Sequence, residues 1–357
     1  MKKFDPSFLD FKYFQNNTRK PDFNNFLDVL YRRVPKRPTL FEFFISSGDL
    51  RKKLFPHIDS EYLSIENYLS QINAYKNAGY DYYTINSPGF SFKISKDRTS
   101  DQKSISMNHD APICDEETFQ AYNWENPEDY DYSFLEKLEP LLPEGMKLVM
   151  WGPGGVLENV TSLLGFDQLC YLIADDEPFV QKMFDAVGSR LLRYYEICAK
   201  YNSIGALISN DDWGFNSQTM LKPDDMRKFV FPWHKKIVEA IHAQGKPAIL
   251  HSCGNLEDVM EDIIFDMKYD AKHSYEDKIL PVEEAYEKWG DKIAILGGLD
   301  LNFICTATPE EVYNRSVKLL ERTAICGGYA LGSGNSIPEY VPEENFLAMI
   351  AAVNQNS

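Results

Sequence analysis

The stretch Ala248-Ile249-Leu250-His251-Ser252-Cys253-Gly254-Asn255 decides the reading of this chain. A short apolar run ends in an imidazole, and a loop of small and polar residues follows. If 248–251 is a buried strand, residues two apart face the same side. His251 and Cys253 then converge just past the strand end. A borderline-soft cation such as zinc accepts this pair of nitrogen and sulfur donors. Two such residues also suit an ordinary core, with a small Cys beside a hydrogen-bonded His. The pattern around them has to separate these readings.

Seven other short runs repeat it. Strands are predicted at Thr39–Ile45, Tyr82–Ile85, Lys147–Trp151, Ala206–Ile208, Tyr269–Lys272, Ile293–Leu296 and Tyr329–Leu331, in addition to Ala248–His251. Helical patterns lie between most of them: Asp176–Tyr201, Asp224–Gln244, Leu256–Asp266, Val282–Lys288 and Pro309–Thr323. The last has Pro in its first turn, Glu310 and Glu311 at the positive end of the dipole and Thr308 as cap. Strand–helix alternation implies parallel strands with helices outside. Eight units imply closure into a (β/α)8 TIM barrel, an open doubly wound sheet being the alternative. No Gly-x-Gly-x-x-Gly turn follows the first strand, which weakens a dinucleotide-binding reading. One barrel domain is expected over residues 1–357. It carries an N-terminal helical extension at 1–36, read as a lid over the barrel bottom, and an insertion at 86–146 over the barrel mouth. The insertion is too long for an ordinary βα loop. Within it, Phe90–Ile94 alternates like an edge strand, and 122–132 is acidic and aromatic.

Barrel enzymes place their chemistry at the C-terminal ends of the strands. Here those ends carry Glu42, then Asn86-Ser87, then Trp151-Gly152-Pro153-Gly154-Gly155. Ser209-Asn210-Asp211-Asp212-Trp213, His251-Ser252-Cys253 and His273-Ser274-Tyr275-Glu276-Asp277 follow, and then Gly297-Gly298-Leu299-Asp300 and Gly332-Ser333-Gly334-Asn335-Ser336. In a barrel all of them face one mouth, so His251 and Cys253 become part of a constellation. A catalytic zinc usually takes three protein ligands and keeps one open position. Glu276 is the first choice for the third, ahead of His273, Asp212, Glu42 and Asn335. Asp211 and Asp212 are adjacent, so one can face the mouth while the other caps the next helix. Asp211, Asp212, His273 and Asn335 are the catalytic candidates. Asn86, Trp151, Trp213 and Asp300 are the candidates for contact with substrate, the tryptophans as walls for a flat ligand.

The formal charge of −17, from 54 acidic and 37 basic residues, argues against a nucleic-acid partner or an anionic membrane surface. No run approaches 18 consecutive apolar residues, and the first residues lack an apolar signal segment. Six scattered cysteines without framework spacing suit free thiols and a cytoplasmic setting.

Three segments carry a family resemblance: Leu250-His251-Ser252-Cys253-Gly254-Asn255, Leu296-Gly297-Gly298-Leu299-Asp300 and Gly332-Ser333-Gly334-Asn335-Ser336-Ile337-Pro338, running on to Pro342-Glu343-Glu344-Asn345. They resemble the uroporphyrinogen decarboxylase superfamily over roughly residues 30–355, most specifically in the C-terminal half. The resemblance implies a (β/α)8 barrel. True uroporphyrinogen decarboxylases carry an Arg-Gln-Ala-Gly-Arg-Tyr segment and use no metal. The region compared with it here reads Arg33-Val34-Pro35-Lys36-Arg37-Pro38. The other branch, similar to methylcobalamin:coenzyme M methyltransferase, holds zinc with a His-x-Cys pair that corresponds to His251 and Cys253. Its third ligand is a Cys at the position of Asn335, so a two-thiolate site becomes a one-thiolate site. The resemblance implies a zinc-dependent methyltransferase that moves a methyl group between a small molecule and a cobalamin (corrinoid) carried by a partner protein. Oxygen in place of sulfur makes zinc harder, which suits O-demethylation of a methoxylated aromatic. The alternatives are a metal-free decarboxylase of another acid and a non-catalytic ligand-binding barrel.

Overall fold

The structure is a computed structural model, and it describes residues 2–56, 63–86, 89–94 and 111–355. Seven parallel strands form one curled sheet in sequence order: β1 Tyr82–Asn86, β2 Lys147–Trp151, β3 Ile204–Asn210, β4 Ala248–His251, β5 Ala271–His273, β6 Ala294–Leu296 and β7 Tyr329–Ala330. Helices cover the outer face, so most strand residues are buried on both sides, as parallel sheets require. The chain has the α/β barrel architecture that its strand–helix alternation predicts.

The first predicted strand, 39–45, departs from regular pairing. It runs parallel to the chain after β7 through two isolated bridges, Leu40 to Leu331 and Ile45 to Ile337. Toward β1 the structure shows tyrosine hydroxyls on its amides instead of a backbone ladder. Tyr82 takes the Glu42 N–H and Tyr75 the Ile45 N–H, each at 2.9 Å. Those amides are satisfied without a neighbouring strand. The 39–45 segment therefore closes the seam between the two edges of the sheet, with backbone bonds on the β7 side and tyrosine hydroxyls on the β1 side.

The predicted Thr308 cap is present. Pro309–Thr323 has the Thr308–Glu311 capping box, and Glu177–Cys198 is capped by Asp176. Leu256–Asp266 is not one regular helix. It splits into a 3-10 turn at Glu257–Val259 and a π-turn at Asp262–Asp266. Phe90–Ile94 is not a strand. Phe90 and Phe92 are buried and their neighbours are not, because Phe90 stacks on Tyr194 of the long helix and Phe92 packs on Trp124. Packing onto a helix produces the same alternation as sheet pairing. Ser87 and the middle of the 86–146 insertion, 95–110, lie outside the described residues.

Residues 19–37 cross the N-terminal ends of the strands. Arg37 pairs with buried Asp81 just before β1, and the Gly328 N–H just before β7 meets the Arg33 carbonyl. The arginines at 33–38 therefore lie at the end of the barrel opposite the polar strand ends. They give no information about which side chains line the mouth. No helix among the described residues is long and apolar enough to cross a membrane, and all six cysteines are free thiols.

Candidate metal centre at the barrel mouth

β4 and β5 are in register, with His251 opposite His273. Both imidazoles therefore point the same way, and their Nδ1 atoms lie 2.8 Å apart. The Nε2 of His273 is 3.0 Å from the Ser333 carbonyl, which only accepts, so that nitrogen carries the proton. Burial pushes the His273 pKa down to about 3 and that of His251 well below its usual value, so both rings are neutral. A neutral His273 then offers its Nδ1 lone pair, and His251 must donate its Nδ1 proton to it. The Nε2 of His251 is left as a bare lone pair, 3.9 Å from the Cys253 sulfur. Phe43 stacks on the same ring at 4.1 Å and fixes its plane.

The third donor is Asp212. One ligand atom each from Asp212, His251 and Cys253 falls within 4.8 Å of the others. Asp212 is held there because its Oδ1 accepts the Cys253 N–H at 2.9 Å. Gly254 follows with φ of 86°, and a side chain there would strike the Gly214 backbone. The turn that aims Cys253 therefore requires glycine. Tetrahedral zinc with bonds of about 2.1 and 2.3 Å would set nitrogen and sulfur roughly 3.6 Å apart. The observed 3.9 Å and the N, O, S donor set fit such an ion with little movement. Without a cation, burial and Asp212 push the Cys253 thiol up, so it is protonated. Metal uptake must release that proton.

The other candidates have different places. Glu276, first choice for the third ligand, is outside the donor group. It lines a separate cleft with Lys272, and burial followed by Asp300 pushes its carboxyl up. Glu42 is also outside, gripped by the backbone N–H and hydroxyl of Ser333. Asn335 lies against the thiol, its Nδ2 3.3 Å from the Cys253 sulfur, so a hydrogen-bond donor stands where the family resemblance implies a second thiolate. Asp211 turns away from the donor group. Its carboxylate takes the N–H groups of Leu157 and Glu158 and the Nε2 of His234, each at 2.9 Å, and so caps Val156–Leu164, the helix after β2 and not the one that follows Asp211. Trp213 is fully buried against Phe231 and His234 and is core, not a wall of the mouth. Asp300 caps Leu301–Thr306 and also takes the Asp277 N–H. Asn86 and Trp151 line one open cleft at the ends of β1 and β2.

Lys272 was not among the candidates. It is buried, bonds the carbonyls of Ser252 and Ser274, and lies over the Tyr275 ring. Burial pulls its pKa down to about 8, against opposing pulls from Cys253, Asp212 and Glu276. Its fixed amine braces the two loops that carry Cys253 and Glu276. A lysine directly before a strand-end histidine was the available signal.

The family model for uroporphyrinogen decarboxylase (URO-D) matches residues 145–356, more than half of the chain. The chain belongs to the uroporphyrinogen decarboxylase family. Curated uroporphyrinogen decarboxylases of Geobacter metallireducens and Geobacter sulfurreducens are 27% and 26% identical over 148 residues. The chain spans about 41% of the length of each of these relatives. A solved methyltransferase from Methanosarcina mazei superposes with a TM-score of 0.72 at 14% identity, covering 93% of this chain and 97% of that one. The two share one fold over nearly the whole chain, including the N-terminal part that the family model does not reach. His251, Cys253 and Asn335 all fall within the family match.

Two predictions arise from this geometry. If His273 fixes the tautomer of His251, His273→Leu should weaken zinc binding about 10–100-fold. His273→Asn, which keeps an acceptor near the same place, should lose much less. Competition with a chelating dye reads both, and equal affinity in all three proteins would rule the arrangement out. The second concerns pH. Burial pushes the Glu42 carboxyl up to about 8, against its Ser333 hydrogen bonds. A raised folded-state pKa means the folded protein holds the proton more tightly. The stability it contributes is complete below about pH 4 and is lost as pH rises toward 8. Urea unfolding should show Glu42→Gln losing less stability than wild type between pH 5 and 8. Identical losses would contradict it.

Proposed function

We propose that this family member is a zinc-dependent methyltransferase that moves a methyl group between a small methylated substrate and a corrinoid protein. The observation that carries the reading is the convergence of Asp212, His251 and Cys253, three donors of different chemistry held by the ends of β3 and β4. Bound there, zinc would supply Lewis-acid polarisation of a substrate oxygen or sulfur. His251 would bind through the nitrogen that His273 leaves unprotonated. Cys253 would bind as thiolate, with the Asn335 amide hydrogen-bonding its sulfur and drawing charge from it. With a carboxylate and a single thiolate the site is harder than one with two thiolates. That favours an ether oxygen, as in a methoxylated aromatic.

The test is methyl transfer from candidate aryl methyl ethers to free cob(I)alamin, followed by the optical conversion to methylcobalamin. Activity that needs zinc and is absent in Cys253→Ser supports the reading. Conversion that proceeds equally without zinc would overturn it.

A second reading draws on the names of the curated relatives, which are decarboxylases. In it the same mouth releases carbon dioxide from an acid without metal, with Asp212 as proton donor. Carbon dioxide release by zinc-free protein, lost in Asp212→Asn and retained in Cys253→Ser, would select this reading.

A further inference from the structure

We propose that the open cleft at the ends of β1 and β2 is a binding site for the carboxylate of a small planar substrate, with Arg51 as its principal anchor. This deepens the methyl-transfer reading and rests on it for the rest of the substrate, an aryl methyl ether. The cleft measures about 400 Å³, within the range of small-molecule sites. One wall is aromatic: Phe44 and Trp151 stack at 5.7 Å with only 24° between their planes. Asn86, at the end of β1, faces the same space.

Charge singles this cleft out. The chain carries −17 overall, yet the described lining holds Arg51 and Lys52 and no Asp or Glu. Four other clefts on the described surface each carry at least two carboxylates. Arg51 has no carboxylate partner among the described residues. One guanidinium nitrogen is anchored on the Ile45 carbonyl at 2.6 Å, which orders the group while leaving other donors for a ligand. Anchoring by a backbone carbonyl aims a cation without neutralising it. One aromatic ring, Phe43, links the cleft to the donor group. Phe43 packs edge-on against Trp151 at 5.5 Å and stacks on His251 at 4.1 Å. A planar acid held by Arg51 and laid along Trp151 is then separated from His251 by the Phe43 ring.

Equilibrium titration with 4-methoxybenzoate, neutral methoxybenzene and inorganic phosphate tests this on the intact chain. The acid should bind at least tenfold more tightly than the neutral ether. Arg51→Gln should weaken the acid about 10–100-fold and leave the ether unchanged, and Arg51→Lys should fall between. Circular dichroism confirms that the variants fold. Equal binding of acid and ether, or an unchanged affinity in Arg51→Gln, would overturn the proposal. So would phosphate displacing the acid at similar concentration, since that marks a phosphate site. Because binding is measured without cobalamin or turnover, it can hold even if zinc chemistry fails, and the two failures are distinguishable.

Discussion

Asp211→Ala is expected to destabilise the protein by roughly 3–5 kcal/mol, the range for stripping one member from a buried charged network. The carboxylate is fully buried and meets three donors. Removing it orphans the first amides of Val156–Leu164 and one nitrogen of His234. His234 is itself tied through Nδ1 to Ser209 and Tyr269, so the loss reaches β3 and the chain before β5. A bulkier residue cannot refill the space from the other side. A Cβ on Gly155 would lie 2.1 Å from Asp211 atoms, so that loop is built around the carboxylate. One effect opposes the loss. Burial, followed by the Asp211 charge, pushes the nearby Glu158 carboxyl up, and removing Asp211 relieves that repulsion. Urea unfolding of Asp211→Ala and Asp211→Asn measures the balance. A loss under about 1 kcal/mol in the alanine variant would show that the cap is dispensable.

His251→Ala and Cys253→Ala are each expected to lower methyl transfer by about a thousandfold or more. Lewis-acid polarisation is worth several kcal/mol, and each 1.4 kcal/mol is tenfold in rate. Neither change should cost much stability by that route. The Cys253 side chain is partly exposed, and its sulfur makes long contacts with Ser274 and His251 and accepts one hydrogen bond from the Asn335 amide. His251 is more embedded, so its variant also leaves the His273 nitrogen without its donor. The comparison of the two variants separates these effects. If both lose activity alike while only His251→Ala loses stability, the activity loss comes from the donor set. Full activity in Cys253→Ala would remove zinc from the account. Asp212→Asn should behave less severely, because an amide oxygen remains in place.

Much of this site was legible because β4 ends where its apolar run ends. The 248–251 strand and the same-side placement of His251 and Cys253 follow from period-two geometry alone. The third donor was not legible. Asp212 and Glu276 are both acidic residues after strand ends, and which one reaches the thiol depends on a loop. Asp212 is brought in by the Cys253 N–H, a contact 41 residues apart in sequence. Trp213 is hidden from sequence reasoning for a related reason: its backbone N–H bonds the Ser252 hydroxyl, and the indole packs inward onto Phe231. The 39–45 segment has a strand's composition, but its edge is satisfied by hydroxyls from Tyr75 and Tyr82. Nothing local in the sequence announces a tyrosine that replaces a neighbouring strand.

The most direct test of the central claim is elemental analysis of protein purified without added metal, beside His251→Ala treated identically. The account predicts close to one equivalent of zinc in the wild type and close to none in the variant. Metal content near zero in the wild type, unchanged in His251→Ala, would contradict it.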